Sequence, residues 1–461
     1  MTTDVQFSVR GKRVTVVGAA RSGVAAAELL ARRGATVTLT ETRSQVEEED
    51  RLRQAGVHLE LGGHLPATLL GADLVVTSPG VPYGHPLLEA ARHAGVPIIG
   101  ELELASRWLR GRIVAITGTK GKSTTTTLTG RMLEAGGHRV LVGGNIGRAL
   151  SAQVEDSTED TIHVVEASSF QLEATDTFHP WIAVLLNFSP DHLDRHENVD
   201  AYASAKTKIF SHQTDNDWAV LNADDPATLE MARRARARRL LFSIRGAPTD
   251  GIVVEGDTIV RRAGLEREPL IPVSSIRLIG SHLVADVLAA SAVAWLAGVG
   301  ATAMTRAVEG FSGLEHALEP VAEVGGVRFV NDSKATNIEA ARRAIESFDA
   351  GVVVILGGKF KGGDFRDLVE PLESRHATVV AIGESRPLIV EALSGHVALH
   401  EAADMSAAVR TAFASASPGR TVVLAPACAS FDMFRDYAQR GHAFKQEVRR
   451  LQEEWNVTRE Q

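Results

Sequence analysis

The chain has 461 residues, of which 44% are hydrophobic and 23% are charged, and its formal net charge is −8 at pH 7. This length exceeds what one hydrophobic core supports, so we expect two to four domains. The single cysteine, Cys428, excludes an internal disulfide framework, and no apolar run approaches the roughly 20 residues of a membrane span. Composition and charge therefore predict a cytoplasmic enzyme with no nucleic-acid partner and no membrane partner.

The first segment has the pattern of a strand-turn-helix-strand unit that binds nucleotides. The turn at 18–23 has Ala20 at the middle glycine position of Gly-x-Gly-x-x-Gly, which weakens an NAD interpretation. The segment at 78–82 is rich in turn residues and follows a predicted strand, where open α/β sheets place ligands. The elements predicted here are strands at 13–17, 36–40 and 73–77 and a helix at 24–33.

Residues 117–124, Thr-Gly-Thr-Lys-Gly-Lys-Ser-Thr, form a glycine-bounded loop between an apolar run and a long helical pattern. Its glycines let backbone N–H groups turn toward an oligophosphate. In such a loop Lys122 can neutralise phosphate oxygens and the Ser123 hydroxyl can hold Mg²⁺. The sequence therefore predicts a phosphate-binding loop at a helix N-terminus, and residues 117–124 are called the phosphate loop below.

Polar residues follow several strands of the second segment, which is predicted to have strands at 162–165, 182–186 and 218–221. Glu166 would project from a strand tip toward the phosphate loop as a metal anchor, although a lone acid after a strand is more often a helix cap. Residues 191–196 suit a metal and phosphate site as readily as a surface loop. From its neighbours alone, Lys206 is a solvated helix lysine.

The third segment repeats the alternation of strands and helices, which implies mostly parallel sheets in all three segments. Its residues 331–337 concentrate Asp, Lys, Thr and two Asn ahead of a helix, so they could bind a small anionic substrate. The predicted strands lie at 327–330, 351–356, 378–382 and 421–424.

A dense basic cluster lies between these segments. We interpret it as the solvated face of a helix after Pro226 rather than a nucleic-acid contact, because no aromatic residues alternate with its arginines. The cluster consists of Arg233, Arg234, Arg236, Arg238 and Arg239.

Over essentially its whole length the chain resembles the Mur ligases. The resemblance rests on the phosphate loop, Gly-Asn-Ile-Gly at 144–147, Glu166 with Ser-Ser-Phe-Gln-Leu at 168–172, Asp-His-Leu-Asp at 191–194, Asn-Asp-Ser-Lys-Ala-Thr-Asn at 331–337 and Pro-Ala-Cys-Ala-Ser at 426–430. It implies an α/β fold of three domains. These are a Rossmann-like N-terminal domain at 1–108, a central P-loop ATPase domain at 109–312 and a C-terminal Rossmann-like α/β domain at 313–461.

The last two motifs are the more specific, and they resemble the members of the family that use D-glutamate. The implied activity is ATP-dependent joining of D-glutamate to UDP-N-acetylmuramoyl-L-alanine through an acyl phosphate, in cytoplasmic peptidoglycan precursor synthesis, by a monomer. Two alternatives stay open: an amide ligase similar to folylpolyglutamate synthase, and a non-catalytic nucleotide-binding homologue.

The resemblance also implies the role of individual residues. The catalytic residues would be Lys122, Glu166, His192 and Lys206. Two Mg²⁺ ions would be held by Ser123, Glu166, His192 and Lys206, the last as a carbamate. ATP would be bound by Gly118, Thr119, Lys120, Gly121, Lys122, Ser123, Thr124, His282 and Asp332. The UDP substrate would be bound by Ser22, Glu41, Thr42, Arg43, Ser78, Pro79, Gly80 and Asn145. D-Glutamate would be bound by Lys334, Thr336, Lys361, Ser430, Phe431 and Tyr437.

Four positions depart from the family pattern. Leu283 and Asp286 replace asparagines, the first of which would contact adenine, and Ala317 replaces an arginine that would contact the ATP phosphates. Lys120 replaces an asparagine of the phosphate loop. We expect looser adenine selectivity and weaker ATP affinity, with Lys120 compensating for part of the lost arginine charge.

Overall fold

The computed structural model describes residues 7–192, 195–246, 248–277, 282–348 and 350–460, without the side chains of residues 282 and 458–460. The chain divides into two compact units. The first comprises residues 1–276 and 283–310, and the second comprises residues 277–282 and 311–461. Among the described residues the first unit contains two sheets and the second unit contains one. The domain boundaries at 108 and 312 stay predictions.

The first sheet is entirely parallel, with the strand order β3-β2-β1-β4-β5. Its strands are β1 Arg13–Val17, β2 Thr36–Glu41, β3 His58–Leu61, β4 Leu74–Thr77 and β5 Ile98–Gly100. Its helices are α1 Arg21–Arg32, α2 Glu49–Gln54, α3 Pro66–Leu70, α4 Pro86–His93 and α5 Glu101–Ser106. The strand order reverses between β1 and β4, so their carboxyl ends open into a crevice of the kind that binds ligands.

The central sheet has the order β14-β13-β12-β11-β10-β9-β6-β8-β7. Its strands are β6 Arg112–Thr117, β7 Arg139–Gly144, β8 Thr161–Glu166, β9 Ile182–Leu185, β10 Trp218–Asn222, β11 Arg238–Ser243, β12 Asp250–Glu255, β13 Thr258–Ala263 and β14 Glu266–Pro272. The α-helices are α6 Lys122–Ala135, α7 Ser169–Glu173, α8 Val199–Thr207, α9 Pro226–Met231, α10 His282–Leu296 and α11 Ala301–Glu309. Short 3₁₀ turns are Leu150–Asp156, Lys208–Phe210 and Val273–Ser275.

Strands β6 to β12 pair in parallel, as predicted, whereas β12, β13 and β14 form an antiparallel meander that the sequence interpretation missed. Gly256 and Gly264 lie in its two tight turns with φ of 58° and 57°, where glycine is favoured.

The arginine cluster is exposed, as predicted, but its assignment to a helix face was wrong. Helix α9 ends at Met231, and Arg238 and Arg239 begin β11. Arg238 lies over the ring of Trp218 on the neighbouring strand, 4.3 Å from its centroid.

The second unit contains one sheet of order β15-β16-β20-β17-β18-β19, in which only the edge strand β15 pairs antiparallel among the described strands. Its strands are β15 Glu319–Val324, β16 Val327–Asn331, β17 Val353–Gly357, β18 Thr378–Ile382, β19 Ala398–Glu401 and β20 Thr421–Leu424. The helices are α12 Ile338–Glu346, α13 Val369–Glu373, α14 Arg386–Leu393, α15 Met405–Ser415 and α16 Tyr437–Glu460, with a 3₁₀ turn at Phe365–Leu368.

Strands β17 and β20 are buried at every position because both faces of this parallel sheet are covered. Two separate apolar clusters pack on those faces. In the part of the chain that is described, no helix is long and apolar enough to cross a membrane.

Candidate active site

The phosphate loop connects β6 to the N-terminus of α6 in the first unit. Gly121 is the N-cap of α6 with a φ of 82°, and a Cβ there would lie 2.2 Å from Oδ1 of Asp286. A Cβ at Gly118 would lie 3.0 Å from Cβ of Leu186. Both glycines therefore allow an approach of neighbouring atoms that a side chain would obstruct.

Asn187, which the sequence interpretation did not single out, holds this loop. Its Oδ1 accepts hydrogen bonds from the N–H groups of Thr119 at 3.1 Å and Lys120 at 2.9 Å. Its Nδ2 donates to the carbonyl of Lys120 at 3.1 Å. The available signal was its place just beyond β9, since β9 pairs in parallel with β6 and their carboxyl ends meet.

Two lysines donate to the same carbonyl of the phosphate loop. Lys122 Nζ donates to the carbonyls of Gly118 and Thr119, each at 2.9 Å, and Lys206 Nζ donates to that of Gly118 at 2.7 Å. Lys206 is only 1% exposed, so its interpretation as a solvated helix residue was wrong. Burial, followed by the charge of Lys122, lowers the pKa of Lys206 to about 6, although Asp191 and Glu166 act in the opposite direction. This shift favours the neutral amine over the ammonium form.

Glu166 ends β8 and faces the first turn of α6. Its Oε2 accepts from Ser123 Oγ at 2.7 Å, and its Oε1 accepts from Asn145 Nδ2 at 2.7 Å. The helix-cap alternative was wrong, because Ser168 is the N-cap of α7 and forms a capping box with Gln171. Ser123 and Glu166 thus place hydroxyl and carboxylate oxygens together, which are the donors that Mg²⁺ prefers.

His192 packs among aromatic side chains. Its backbone φ is 56°, and its ring centroid lies 5.0 Å from that of Phe170 and 6.1 Å from that of Tyr202. Lys206 Nζ lies 4.7 Å from the centroid of the Tyr202 ring. His192 and Lys206 therefore both adjoin Tyr202, while Leu193 and Asp194 of the motif are outside the described residues.

Asp191 and His196, which belong to the same polar run at 191–196, contact side chains elsewhere in the fold. Asp191 forms an ion pair with Lys120, with 3.2 Å between Oδ2 and Nζ, so the added charge at position 120 already has a partner. His196 is buried, hydrogen-bonds Ser169 Oγ through Nε2 at 2.9 Å, and lies 3.0 Å from Glu173 Oε1 through Nδ1.

The crevice of the first sheet, here called the nucleotide crevice, has a volume of about 590 Å³. Among the residues predicted to bind the UDP substrate, it is lined by Glu41, Thr42, Arg43, Ser78 and Gly80. Arg21, His64 and His85 also line it and were missed. Burial opposes ionisation of Glu41, but hydrogen bonds from Arg43 and the N–H of Ala19 hold its pKa at about 2. Ser22 lies in the first turn of α1 and does not line the crevice.

Two arginines connect the nucleotide crevice with the phosphate-loop side of this unit. Arg195 donates to the carbonyl of Pro79 at 3.2 Å and to that of Gly80 at 3.3 Å. Arg21 donates to the carbonyl of Asn145 at 3.1 Å. Arg195 and Arg21 therefore fix the backbones of Pro79, Gly80 and Asn145, three residues that were predicted to bind the UDP substrate.

In the second unit, five of the six predicted D-glutamate residues lie on three segments, 331–337, 357–361 and 426–431, here called the acceptor segments, and the sixth, Tyr437, begins α16. Backbone hydrogen bonds join them: Ala427 N donates to Ala335 O at 2.9 Å, and Lys359 and Ala429 exchange bonds of 2.8 and 3.0 Å. Lys334, Lys361, Phe431 and Tyr437 are exposed, Thr336 is half-buried and Ser430 is buried.

Asp332 belongs to the same unit and is 9% exposed. Burial raises its pKa to about 7, although the N–H of Leu318 and the charge of Lys334 favour the carboxylate. The side chain of His282, which was predicted to bind ATP, is outside the described part of the chain.

Glu315, His316 and His442 approach one another within 4.8 Å, a spacing that could hold a metal ion. The hydrogen bonds around His316 argue against a metal ion at this cluster. Asn331 accepts from Ser333 N at 3.1 Å through Oδ1, so its Nδ2, 2.8 Å from His316 Nδ1, is the donor. Neutral His316 then carries its proton on Nε2, the atom that would have to bind the metal.

A phosphate loop after a parallel strand, in a unit whose other sheet is parallel and opens into a crevice, is typical of P-loop nucleotide-binding proteins. Residues 12–100 match the Mur ligase MurD-like N-terminal domain, residues 116–294 the Mur ligase middle domain, and residues 318–428 the Mur ligase glutamate ligase domain. The chain belongs to the Mur ligase family. The three matches also confirm the predicted three-domain α/β architecture.

Curated relatives extend over nearly the whole chain. The UDP-N-acetylmuramoylalanine--D-glutamate ligase of Acidobacterium capsulatum is 48% identical over 95% of this chain and 96% of its own length. The protein of the same description from Koribacter versatilis is 44% identical over 97% of this chain and 99% of its own length.

Among solved structures, the UDP-N-acetylmuramate-alanine ligase of Thermotoga maritima superposes with a TM-score of 0.59 at 19% identity, covering 96% of this chain and 100% of its own. The MurF ligase of Thermotoga maritima in complex with ADP also gives 0.59, at 17% identity and 96% coverage of both chains. At these identities the two structures support the fold.

Proposed function

We propose that this protein is an ATP-dependent ligase that joins D-glutamate to UDP-N-acetylmuramoyl-L-alanine in peptidoglycan precursor synthesis. The observation that carries the chemistry is the convergence of Lys122, Lys206 and the Ser123–Glu166 pair on one phosphate loop. The substrates are supported by the relatives described as UDP-N-acetylmuramoylalanine--D-glutamate ligases.

A carboxylate reacts poorly with an amine, because it is anionic and has no good leaving group. In the proposed reaction an oxygen of the alanyl carboxylate attacks the γ-phosphorus of ATP, which releases ADP and gives an acyl phosphate. The amine of D-glutamate then attacks the carbonyl carbon and loses a proton, and inorganic phosphate leaves with the former carboxylate oxygen. Lys122 and the N–H groups at the start of α6 stabilise the charge on the transferred phosphoryl group.

Ser123 and Glu166 fit the first of two proposed Mg²⁺ ions, and His192 with a carbamylated Lys206 would hold the second. Bound Mg²⁺ neutralises phosphate charge during transfer. A carbamate forms when the neutral lysine amine attacks CO₂ and loses a proton, which converts Nζ into an oxygen-donor anion. The low pKa of Lys206, about 6, supports this step because it makes the neutral amine available.

The nucleotide crevice is proposed to bind the UDP group, and Asn145 the muramoyl portion. Asp332 and His282 are proposed to contact ATP, and the acceptor segments to bind D-glutamate through the residues named above. We expect the protein to act as a monomer in the cytoplasm.

The proposal is tested by measuring ADP release while each substrate is omitted in turn. ADP is expected only when ATP, Mg²⁺, UDP-N-acetylmuramoyl-L-alanine and D-glutamate are all present. Lys122→Ala should lower kcat at least ~10²-fold, whereas Lys12→Ala, a change at an exposed residue, should not. Turnover with a folate acceptor and none with the muramoyl nucleotide would overturn the proposal.

A further inference from the structure

We propose that Arg440 is a positioning residue for the acceptor amino acid, because its buried guanidinium holds the backbones of the acceptor segments together. This inference rests on the proposed function for the identity of the acceptor. Sequence reasoning missed Arg440, which lies in the first turn of α16 and far along the chain from two of the three segments.

Arg440 is fully buried, at 0% exposure, and donates in two directions. Its Nε donates to Ser333 Oγ at 3.0 Å and its Nη2 to the carbonyl of Ser333 at 2.9 Å. Its Nη1 donates to the carbonyl of Cys428 at 3.0 Å. One side chain thus connects the segment that contains Lys334 and Thr336 with the segment that contains Ser430.

The third acceptor segment packs against the same guanidinium. Gly358 has a φ of 139°, and a Cβ there would lie 2.3 Å from the carbonyl oxygen of Ala429 and 3.0 Å from Nη1 of Arg440. The paired backbone hydrogen bonds between Lys359 and Ala429 fix this approach. Glycine at 358 therefore allows the loop that presents Lys361 to lie directly on Arg440.

The three groups that accept hydrogen bonds from Arg440 are uncharged. Burying a guanidinium among such groups costs free energy of folding. Burial lowers the pKa of Arg440 to about 10, although Cys428 and Asp432 act in the opposite direction, so the side chain still carries its charge at neutral pH. A buried charge that forms no direct ion pair is costly to desolvate. A simple structural contact between these loops would not need a charge, whereas a site for a dicarboxylate gains from a fixed positive charge beneath it.

The guanidinium fork also explains why arginine occupies this position. Its planar donors have fixed directions, so they hold the carbonyls of Ser333 and Cys428 in a set relation. Lysine would keep the charge but could not reproduce both contacts. Loosening these backbones would displace the side chains proposed to bind D-glutamate, and displacements of about 1 Å can cost roughly 10²-fold in rate.

The test is Arg440→Lys, compared with Arg449→Lys on an exposed position of the same helix. We expect Arg440→Lys to raise KM for D-glutamate at least ~10-fold, with a smaller rise in KM for ATP through the neighbouring Asp332 and with KM for the UDP substrate within about twofold of wild type. Arg449→Lys should match wild type in all three. Amide hydrogen exchange in 331–337 and 426–431 should accelerate in Arg440→Lys only.

An unchanged KM for D-glutamate in folded Arg440→Lys, or an equal rise in KM for all three substrates, would overturn the inference. If that variant does not fold, Ser333→Ala removes the hydroxyl that accepts from Arg440 Nε and donates to the carbonyl of Tyr437, and it should still raise KM for D-glutamate; no rise would overturn the inference. Failure of the wild-type protein to use D-glutamate would instead overturn the proposed function. Hydrogen exchange would then decide the role of Arg440 in holding the segments.

Discussion

Lys122 and Lys206 both donate hydrogen bonds to the carbonyl of Gly118, so their two amines lie close together at the phosphate loop. An ordinary surface lysine would be a cation that repels both Mg²⁺ and Lys122. Burial shifts Lys206 toward the neutral amine, which is the form that reacts with CO₂. A carbamate at this position would add an anion beside the cation of Lys122.

Replacing Lys206 with Ala should therefore lower kcat at least ~10²-fold. Formate or acetate should restore part of the activity by occupying the vacated space as an oxygen-donor anion. Lys12→Ala, at an exposed position, is the control and should be unaffected by either anion. Wild-type activity in Lys206→Ala, or no response to the carboxylates in a folded variant, would contradict the carbamate.

Asp286 is a buried acid beside Gly121 in a position where the family resemblance led us to expect asparagine. Burial raises its pKa well above the ordinary value, although Thr125 and the charge of Lys122 act in the opposite direction. The folded protein therefore holds this proton more tightly than the unfolded chain does. The stabilisation that results is complete below the unfolded-state pKa and is lost as pH rises through the folded-state pKa.

Asp286→Asn removes this titration while it keeps the shape of the side chain. We expect a Tm above that of wild type by at least ~2 °C at pH 8, with the difference shrinking toward pH 4. Asp215→Asn, at an exposed position, should show no such trend. A Tm difference that is independent of pH would show that Asp286 is not held protonated.

At the scale of elements, α5 joins the two sheets of the first unit through buried acids. Glu103 accepts from the N–H groups of Asp176 at 2.9 Å and Phe178 at 3.0 Å, and Glu101 accepts from Ser151 N at 2.6 Å. Burial alone would raise the pKa of Glu103, but hydrogen bonds from Thr177 and Asp176 outweigh it and lower that pKa.

Glu103→Gln should lower the free energy of unfolding by about 2 to 4 kcal/mol, because several buried donors lose a charged acceptor. Since the folded-state pKa is lowered, the stabilisation is present above the unfolded-state pKa and is lost as pH falls through the folded one. The difference in Tm between the variant and wild type should therefore shrink on acidification. Glu49→Gln, in the partly exposed pair with Arg53, should change Tm little; an equal loss in both variants would contradict this account.

The local sequence pattern was sufficient to predict strands whose apolar runs end in turns. The bounds of β1, β18 and β20 match the predicted ranges, because a buried parallel strand is a short continuous apolar run. Strands β12 to β14 were missed because charged residues stand at both ends of β12 and in consecutive runs in β13 and β14, and because no helix separates these strands.

Long-range contacts could not be read from such patterns. Lys206 has the sequence neighbours of a surface helix, and only the packing of α8 on the phosphate loop buries it. Asn187 and Arg440 act on backbones 67 and 107 residues away, respectively. The family motifs identified Glu166 and the phosphate loop, while the residues that hold those motifs in place became evident from the fold.

At the scale of the whole molecule, the described residues place the two halves of the proposed reaction on different units of one chain. The first unit contains the nucleotide crevice, the phosphate loop and the Ser123–Glu166 pair. The second unit contains the acceptor segments. Amide formation through an acyl phosphate needs both sets of groups, and it transfers one oxygen atom of the alanyl carboxylate to the released phosphate.

Labelling both oxygens of the alanyl carboxylate of UDP-N-acetylmuramoyl-L-alanine with ¹⁸O, and analysing the inorganic phosphate by mass spectrometry, tests this oxygen transfer. Attack of the carboxylate on ATP, followed by departure of phosphate, predicts one ¹⁸O in the phosphate for each amide formed with D-glutamate. Amide formed alongside unlabelled phosphate, or no amide at all from these substrates, would contradict the account.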